Sequence, residues 1–431
     1  MPGPSPSNPE QPALSAVPVT SRSLRRLAFL LGGLAMFGPF SIDTIFPAFP
    51  QIGAQLGANP VQMQQTISVY LIAYALMSVV HGPLSDAIGR RRVILGGLAV
   101  FVLASVGCAL SKTLGVLLVY RAIQGLSAGV GLIVGRTVIR DLLHGDDAQR
   151  LMSQVSMIFS VAPAIAPIIG GWILGWQRWP MIFWFLVGFS VLLWLATWFA
   201  LPETHPPSAR LPLHPRRLSR DYMAIFLNPR FQRLAAAGTF NFGALFLYIA
   251  SAPAFVLDIL RLNERSFAWF FVPMISGMML GAFVSGRTAG RMSGRLQSKI
   301  GFVCCGIAVA ANVIYNLLVA QPSVPWAVLP MMLNAFGVGL VFPILTLAIL
   351  DMYPRQRGAA SSLQAFTSLV SNALIAGVLS PMLSRSPLQL ALGTAVFAFL
   401  GWAFWRWEMH AGRRVPDAPA IVPALEPTDR M

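Results

Sequence analysis

The feature that most constrains this chain is a succession of long apolar runs, each near the ~20 residues a helix needs to cross the hydrocarbon of a bilayer. Twelve runs can be marked, at 27–49, 61–81, 93–110, 114–138, 151–175, 179–201, 231–256, 267–288, 299–319, 325–350, 358–381 and 387–407. An all-α integral membrane fold of twelve transmembrane helices is expected. Only 11% of the residues are charged, against about 25% in soluble domains. Such a chain cannot cover its own surface with polar groups, so membrane lipid is its surrounding.

The net charge of +16 does not point to nucleic acid, because the arginines sit at the ends of the apolar runs. Arg22, Arg25, Arg26, Arg90, Arg91, Arg92, Arg140, Arg150, Arg216, Arg217, Arg220, Arg287, Arg291, Arg295, Arg355, Arg357, Arg413 and Arg414 fall on one side. The other side receives Lys112, Arg178, Arg261, Arg265 and Arg385. The positive-inside rule then places both termini in the cytoplasm, and an even number of spans requires the ends to agree.

Residues 1–21, rich in proline and serine, read as a disordered cytoplasmic tail. They do not resemble a signal peptide, since the first basic cluster follows them. A polar stretch, 202–230, carries Pro202, Pro206, Pro207, Pro212 and Pro215 and divides the spans six and six. The expected organisation is two six-helix bundles, 22–201 and 231–407, a cytoplasmic linker, and a tail over 408–431. A faint repeat supports it: Gln124, Gly129 and Asp141 correspond to Asn334, Gly339 and Asp351, and Gly82 and Arg91 to Gly286 and Arg295. Paired halves of this kind let a secondary transporter rock about a site near the midplane.

Within the spans, Asp43 is the one acid placed at membrane depth. A charge there costs roughly 2.5–3.5 kcal/mol on insertion scales, so it marks a functional site by default. Arg121 is read as the one arginine well inside a span. Each stands about seven residues from the outer end of its span, so at ~1.5 Å per residue both lie near one depth. Pairing or a shared hydrogen-bond network is allowed. Desolvation and a neighbouring guanidinium act on such an acid in opposite directions, which is what a proton switch needs. The other reading of Arg121 is a static buried pair or a guanidinium bonded to helix carbonyls.

Other chemistries find no support. Cys108, Cys304 and Cys305 lie in apolar runs and read as buried thiols. The histidines show no metal-ligand spacing. Lys112 and Lys299, the two lysines, follow no phosphate-binding glycine pattern. No metal and no cofactor is expected, and no acid, histidine or Ser–His–Asp set near a span end suits a membrane enzyme.

After span two the chain reads Gly82-Pro83-Leu84-Ser85-Asp86-Ala87-Ile88-Gly89-Arg90-Arg91-Arg92. Glycines permit a tight turn, Asp86 can cap a helix N-terminus, and the arginines can pair with Asp141 at the end of span four. Such pairs can latch the cytoplasmic side in one state and break in the other. This loop resembles the signature loop of the major facilitator superfamily. Arg121-Ala122-Ile123-Gln124-Gly125 is similar to an element of its proton-coupled members. Ala162-Pro163-Ala164-Ile165-Ala166-Pro167-Ile168-Ile169-Gly170-Gly171 resembles the antiporter motif of span five, with Ala166 for its first glycine. The doubled Ala-Pro and the run Asp43-Thr44-Ile45-Phe46-Pro47-Ala48-Phe49-Pro50 resemble the Bcr/CflA branch of multidrug efflux proteins. The second half departs from the loop motif, with Gly290 where Asp86 would repeat.

The resemblance implies a monomeric drug:proton antiporter of a bacterial inner membrane, exporting amphipathic compounds of the chloramphenicol or bicyclomycin kind. Asp43 would exchange the proton and Arg121 would be its partner. Gly82, Asp86, Gly89, Arg90, Arg91 and Asp141 would form the gating loop, and Pro163, Pro167, Gly170 and Gly171 an export-biased hinge. Phe40, Tyr70, Tyr74, Asn241, Tyr248, Asn334 and Gln364 are polar or aromatic residues inside spans and are candidates for lining a pocket. Few charges and many aromatic and methionine side chains suit a lipophilic small-molecule substrate. An exporter of an amino acid or siderophore, and a proton-coupled importer, are the alternatives.

Overall fold

The computed structural model describes residues 21–143, 145–210, 215–288, 291–353 and 356–411. The tails through residue 20 and from residue 412, with Arg413 and Arg414, and also Pro212, Gly290 and Arg355, lie outside them. The described chain is helical throughout, as a backbone surrounded by lipid requires, because a helix satisfies its own N–H and C=O groups.

Span one is α1 (Ser21–Asp43), continued through a 3-10 turn (Phe46–Ala48) into α2 (Phe49–Leu56). Spans two and three are α3 (Pro60–Ile88) and α4 (Arg90–Ala109). Span four is divided at Gly129 into α5 (Leu114–Ala128) and α6 (Val130–Leu142). Spans five and six are α7 (Gly145–Leu174) and α8 (Pro180–Ala200). The linker folds into the amphipathic helix α9 (Pro215–Phe226). Spans seven to ten are α10 (Pro229–Ala250), α11 (Ala268–Thr288), α12 (Gly294–Leu318) and α13 (Leu329–Met352). Span eleven is α14 (Arg357–Leu374) with a π-helical turn (Ile375–Leu379) and α15 (Ser380–Leu383), and span twelve is α16 (Pro387–Ala411). A second π-helical turn (Ala254–Ile259) follows α10.

Eleven of the described spans are long and apolar enough to cross a membrane, and α7 contains the apolar stretch Val161–Leu174. The starts follow from local chemistry. Asn59 and Gln62 form a reciprocal capping box at 2.9 Å before α3. Thr113, Asn228 and Ser293 cap α5, α10 and α12.

In the first half α3 packs on α5, α4 on α8 and α1 on α7; in the second, α10 packs on α16 and α13 on both α11 and α12. The halves meet along two seams, α3 with α14 and α7 with α11. Close approach inside a half relies on small residues: a side chain at Gly125 would collide with the Tyr70 carbonyl.

The hydrogen bonds made directly between the bundles are gathered at the outer ends. Gln64 Nε2 donates to Ala250 O, Gln65 Nε2 to Gly377 O and Ser68 Oγ to Ala373 O, each at 2.9 Å. Phe46 stacks on Phe271 across the same level, with centroids 6.3 Å apart. At the inner ends the connection runs through the linker, where Tyr222 of α9 donates to Val79 O at 3.1 Å. The two bundles are therefore held together at the ends away from the linker.

Three expectations are corrected. Gly82 to Ile88 are not a loop but the last turns of α3, and the turn is confined to Gly89, whose φ is 105°. Ser21, assigned to the tail, is already helical. Cys304, expected buried, is half-exposed, while Cys108 and Cys305 are buried.

Candidate functional site

Arg121 is fully buried and ties together three helices by bonds to backbone and amide oxygens. Its Nε donates to Thr66 O at 3.2 Å on α3, and its Nη1 to Ser41 O at 3.1 Å on α1 and to Gln124 Oε1 at 2.8 Å. Gln124 Nε2 carries the network to α4 by donating to Ser105 Oγ at 2.7 Å. The guanidinium lies over the Tyr70 ring, 4.4 Å from its centroid. Ser41 Oγ donates to Tyr70 Oη, which donates to Gly38 O, both at 2.9 Å. One donor, Arg121 Nη2, is buried with no partner among the described residues.

Asp43 closes α1 two residues beyond Ser41 and is 4% exposed. Among the described residues it makes no ion pair or hydrogen bond, and Arg121 does not reach it. The two charged residues expected to pair thus stand in one neighbourhood, separate, each with unused capacity. An isolated buried carboxylate is tolerated in its neutral form, since an ionised one without partners is prohibitively costly.

The expected hinge lies against the same point. Pro163 and Pro167 are inside α7, where each removes a backbone donor. A side chain at Gly170 would strike Thr44 O, directly after Asp43, and one at Gly171 would strike Glu264 O of the second half. These two glycines bring α7 against both the end of α1 and the opposite bundle.

At the inner end Arg90, 5% exposed, is the centre of a charge cluster. It pairs with Asp86, donates Nη1 to Ser85 Oγ at 2.7 Å, and donates Nε to Asp141 Oδ2 at 3.1 Å. Asp86 thus pairs along the chain rather than capping a helix. Glu203, not anticipated, accepts from Arg90 N–H at 2.9 Å and from His205 N–H at 3.1 Å. Thr204 Oγ1 joins by donating to Asp141 Oδ2 at 3.1 Å. A side chain at Gly89 would collide with the Glu203 carboxylate. Among the described residues Arg91 pairs with no acid: it donates to Trp198 O and its guanidinium stands 5.2 Å from the Trp198 ring centroid. These bonds join spans two, three and four to the end of span six, all inside the first half. At the inner ends of spans seven and twelve, buried Glu408 accepts from Arg230 Nε at 2.9 Å and from Arg233 Nε at 2.8 Å.

The pocket candidates separate. Tyr70 and Tyr74 stand edge to face beside Arg121, centroids 6.4 Å apart. Phe40 packs toward span six on Phe185 and Phe189. In the other half Asn241 Oδ1 faces Cys305 Sγ, Tyr248 accepts from Asn312, and Gln364 donates to Thr346. Asn334 is buried with both amide atoms unpartnered among the described residues. All seven are buried in helix packing. A second intramembrane arginine, Arg136 of α6, corrects the reading of Arg121 as the only one. Its side chain is exposed, six residues before the end of α6 at Leu142.

Over residues 29–376 the sequence matches the Major Facilitator Superfamily. It is 28% identical over 373 residues to multidrug resistance protein D of Escherichia coli strain K12, covering 84% of this chain and 89% of that one. To the bicyclomycin resistance protein homolog of Haemophilus influenzae strain Rd it is 25% identical over 382 residues, covering 85% and 92%. The fold is similar to the crystal structure of a bacterial homolog of the human lysosomal transporter Spinster in an inward-facing, unoccupied conformation. The TM-score is 0.70 at 17% identity, over 94% of this chain and 100% of that one. The match takes in the Arg121 network, the Arg90 cluster and the glycines of α7, and the chain belongs to the Major Facilitator Superfamily of membrane transporters.

Proposed function

We propose that this transporter is a proton-coupled exporter of amphipathic small molecules. It would work by alternating access in a bacterial inner membrane, with both termini in the cytoplasm. Relatives named for multidrug and bicyclomycin resistance support the substrate class, and the arginine distribution supports the orientation. In this reading the first six spans and the last six are the moving bodies, and residues 202–230 connect them.

The observation that carries the proposal is Asp43, buried and without a partner among the described residues, two residues beyond the Ser41 whose carbonyl Arg121 binds, while one Arg121 donor is buried and unpartnered among the same residues. In the outer-closed arrangement Asp43 holds its proton. When the bundles move and water or substrate enters, the acid ionises and Arg121 Nη2 is the donor available to it. The moved state then satisfies both groups at once, which links proton release to the change of state. A proton moving inward supplies about 2.3 kcal/mol per 100 mV of membrane potential, plus any pH gradient. The Arg90 cluster would hold the inner ends of the first bundle as one body while it tilts. Arg136, with Phe242 and Phe342 facing each other at 6.2 Å between α10 and α13, would line the path from the cytoplasm.

Transport in inverted vesicles under an imposed pH gradient, with panels of drugs and metabolites, tests this. Gradient-driven uptake of an amphipathic drug into the vesicles is the expected result. Transport that does not depend on the gradient would overturn the coupling.

A further inference from the structure

The linker helix α9 is held by the protein on one side only. Ile225 is buried with Phe231, Leu234 and Ile349 in the core of the second bundle, and Tyr222 donates to Val79 O of the first. On the other side, Arg216, Arg220, Met223 and Leu227 follow the i, i+4, i+7, i+11 spacing of one helix face. Leu227 still belongs to that face, since its N–H bonds to Met223 O at 2.9 Å. All four are exposed, Met223 at 56% and Leu227 at 62%, and Phe226 is exposed beside them. Asp221, the one acid of the helix, is half-buried on its flank.

Along this stripe the character changes from charged to apolar. Turned to water, it would leave Met223, Phe226 and Leu227 as a grouped apolar patch; turned to hydrocarbon, it would strand Arg216 and Arg220. The bilayer interface suits both halves. The level agrees. Leu227 is followed by Asn228, the cap of α10, so the apolar turn stands where span seven enters the membrane. In the first turns of α10, the Arg233 guanidinium lies 5.7 Å from the ring centroid of Trp407, an exposed tryptophan at the inner end of span twelve. Tryptophans of this kind gather at the headgroup level.

We propose that α9 lies in the headgroup layer of the cytoplasmic leaflet and binds an anionic phospholipid there. Arg216 and Arg220 take the phosphate, and Met223, Phe226 and Leu227 rest against the upper part of the acyl chains. The two arginines are one helical turn apart, ~6 Å along the axis, so both reach the headgroup of one lipid. A zwitterionic lipid offers the same apolar contact, but its own cation offsets the attraction of the phosphate. Because α9 bonds to α3 and packs into the core of the second bundle, the lipid anchors the point at which the two halves are connected. The leaflet follows from the orientation proposed above; the binding does not depend on it.

The test titrates the purified full-length protein, in a neutral maltoside detergent, with fluorescently labelled phosphatidylglycerol and with phosphatidylcholine carrying the same label. The parent should prefer phosphatidylglycerol. An arginine near an anionic surface is worth about a fivefold change in affinity, so Arg216→Gln and Arg220→Gln should each weaken phosphatidylglycerol by about that much and the double variant by roughly 25-fold. All three should melt with the parent, since both side chains are exposed. Met223→Ser/Leu227→Ser should weaken both lipids. Arg291→Gln/Arg295→Gln, which removes the same charge from another connection on that face, should leave phosphatidylglycerol binding nearly unchanged. Equal binding of the two lipids by the parent, or affinity indifferent to Arg216→Gln/Arg220→Gln, overturns the proposal. An equal loss in Arg291→Gln/Arg295→Gln overturns it too, by making the attraction a property of the whole basic face. So does displacement of the lipid by a single-stranded oligonucleotide, which would show a preference for any polyanion. Efflux plays no part in the readout, so failure of the proton-coupling reading would leave the lipid result standing.

Discussion

At the scale of single residues, Asp43 and Arg121 make separable predictions. Asp43→Asn keeps the size and neutral polarity of the protonated acid in a site where the side chain has no partner among the described residues. The variant should insert and fold as the parent does, with an unchanged melting temperature in detergent, and lose proton-driven efflux in inverted vesicles. Normal gradient-driven transport would remove Asp43 from coupling. Arg121→Ala differs, because it removes the donor to Ser41 O and Gln124 Oε1 and the extra bond to the helical Thr66 O at once. Unsatisfied buried polar groups cost ~1–3 kcal/mol each, and interhelical bonds in membranes fall at the low end, so a loss of roughly 2–5 kcal/mol is expected. Its melting temperature should drop by several degrees together with transport. A variant that melts early yet still couples efflux to the gradient would make Arg121 a structural tie. Both residues were legible in the sequence because a charge in an apolar run is rare and costly. Their separation was not, since depth along two helices says nothing about which faces meet. Arg136 escaped notice for a related reason: the apolar run fades near residue 138 while α6 continues to Leu142, so a side chain inside the helix read as one at its edge.

At the scale of elements, the inner end of the first bundle shows what sequence spacing conveys and what it omits. The Gly-x-Leu-Ser-Asp pattern places Asp86 one helical turn before Arg90, and Asp141 was a candidate because it closes a neighbouring span. Glu203 was invisible, because an acid in a proline-rich polar stretch is ordinary until folding brings the end of α8 to the start of α4. Glu203 accepts the Arg90 N–H, an unsatisfied donor of a helix N-terminus, and the approach leaves no room for a side chain at Gly89. Gly89→Ala should therefore destabilise the protein by about 2 kcal/mol, from a residue forced to φ 105° and displacement of the carboxylate. Glu203→Gln retains the shape and loses the charge-assisted bond, at about 1 kcal/mol. Thermal unfolding of both variants checks the order, with Gly89→Ala the lower. If Gly89→Ala melts with the parent, the inner cluster does not depend on this contact. The twelve spans themselves were readable, but not all of their ends: span two runs to Ile88 and span one to Leu56, each seven residues past the expected limit. What the apolar runs concealed is their interruption at Thr44 and at the two π-helical turns, where backbone geometry changes without a change in hydrophobicity.

At the scale of the whole molecule, the two bundles are joined at their outer ends by three side-chain hydrogen bonds, an aromatic stack and the contact of Gly171 with Glu264. None of these was foreseeable, since each depends on the relative placement of halves that a repeat in the sequence does not specify. Alternating access requires this seal to part in every cycle. The contact between Ser68 of α3 and Gly377 of the π-helical turn after α14 allows a direct check. A Cβ built at Gly377 stands 2.8 Å from Ser68 Cβ, somewhat closer than the ~3.5–4.5 Å of a disulfide, so a small relaxation brings two cysteines into bonding range. The protein Ser68→Cys/Gly377→Cys, with Cys108, Cys304 and Cys305 replaced, should cross-link under mild oxidation and stop gradient-driven efflux, and a reducing agent should restore it. Each single cysteine variant should transport with or without oxidant, which separates locking from damage to the seal. Cross-linked protein that still exports would mean that the outer seam of α3 and α14 does not open during transport. The moving parts would then have to be sought within the halves rather than between them.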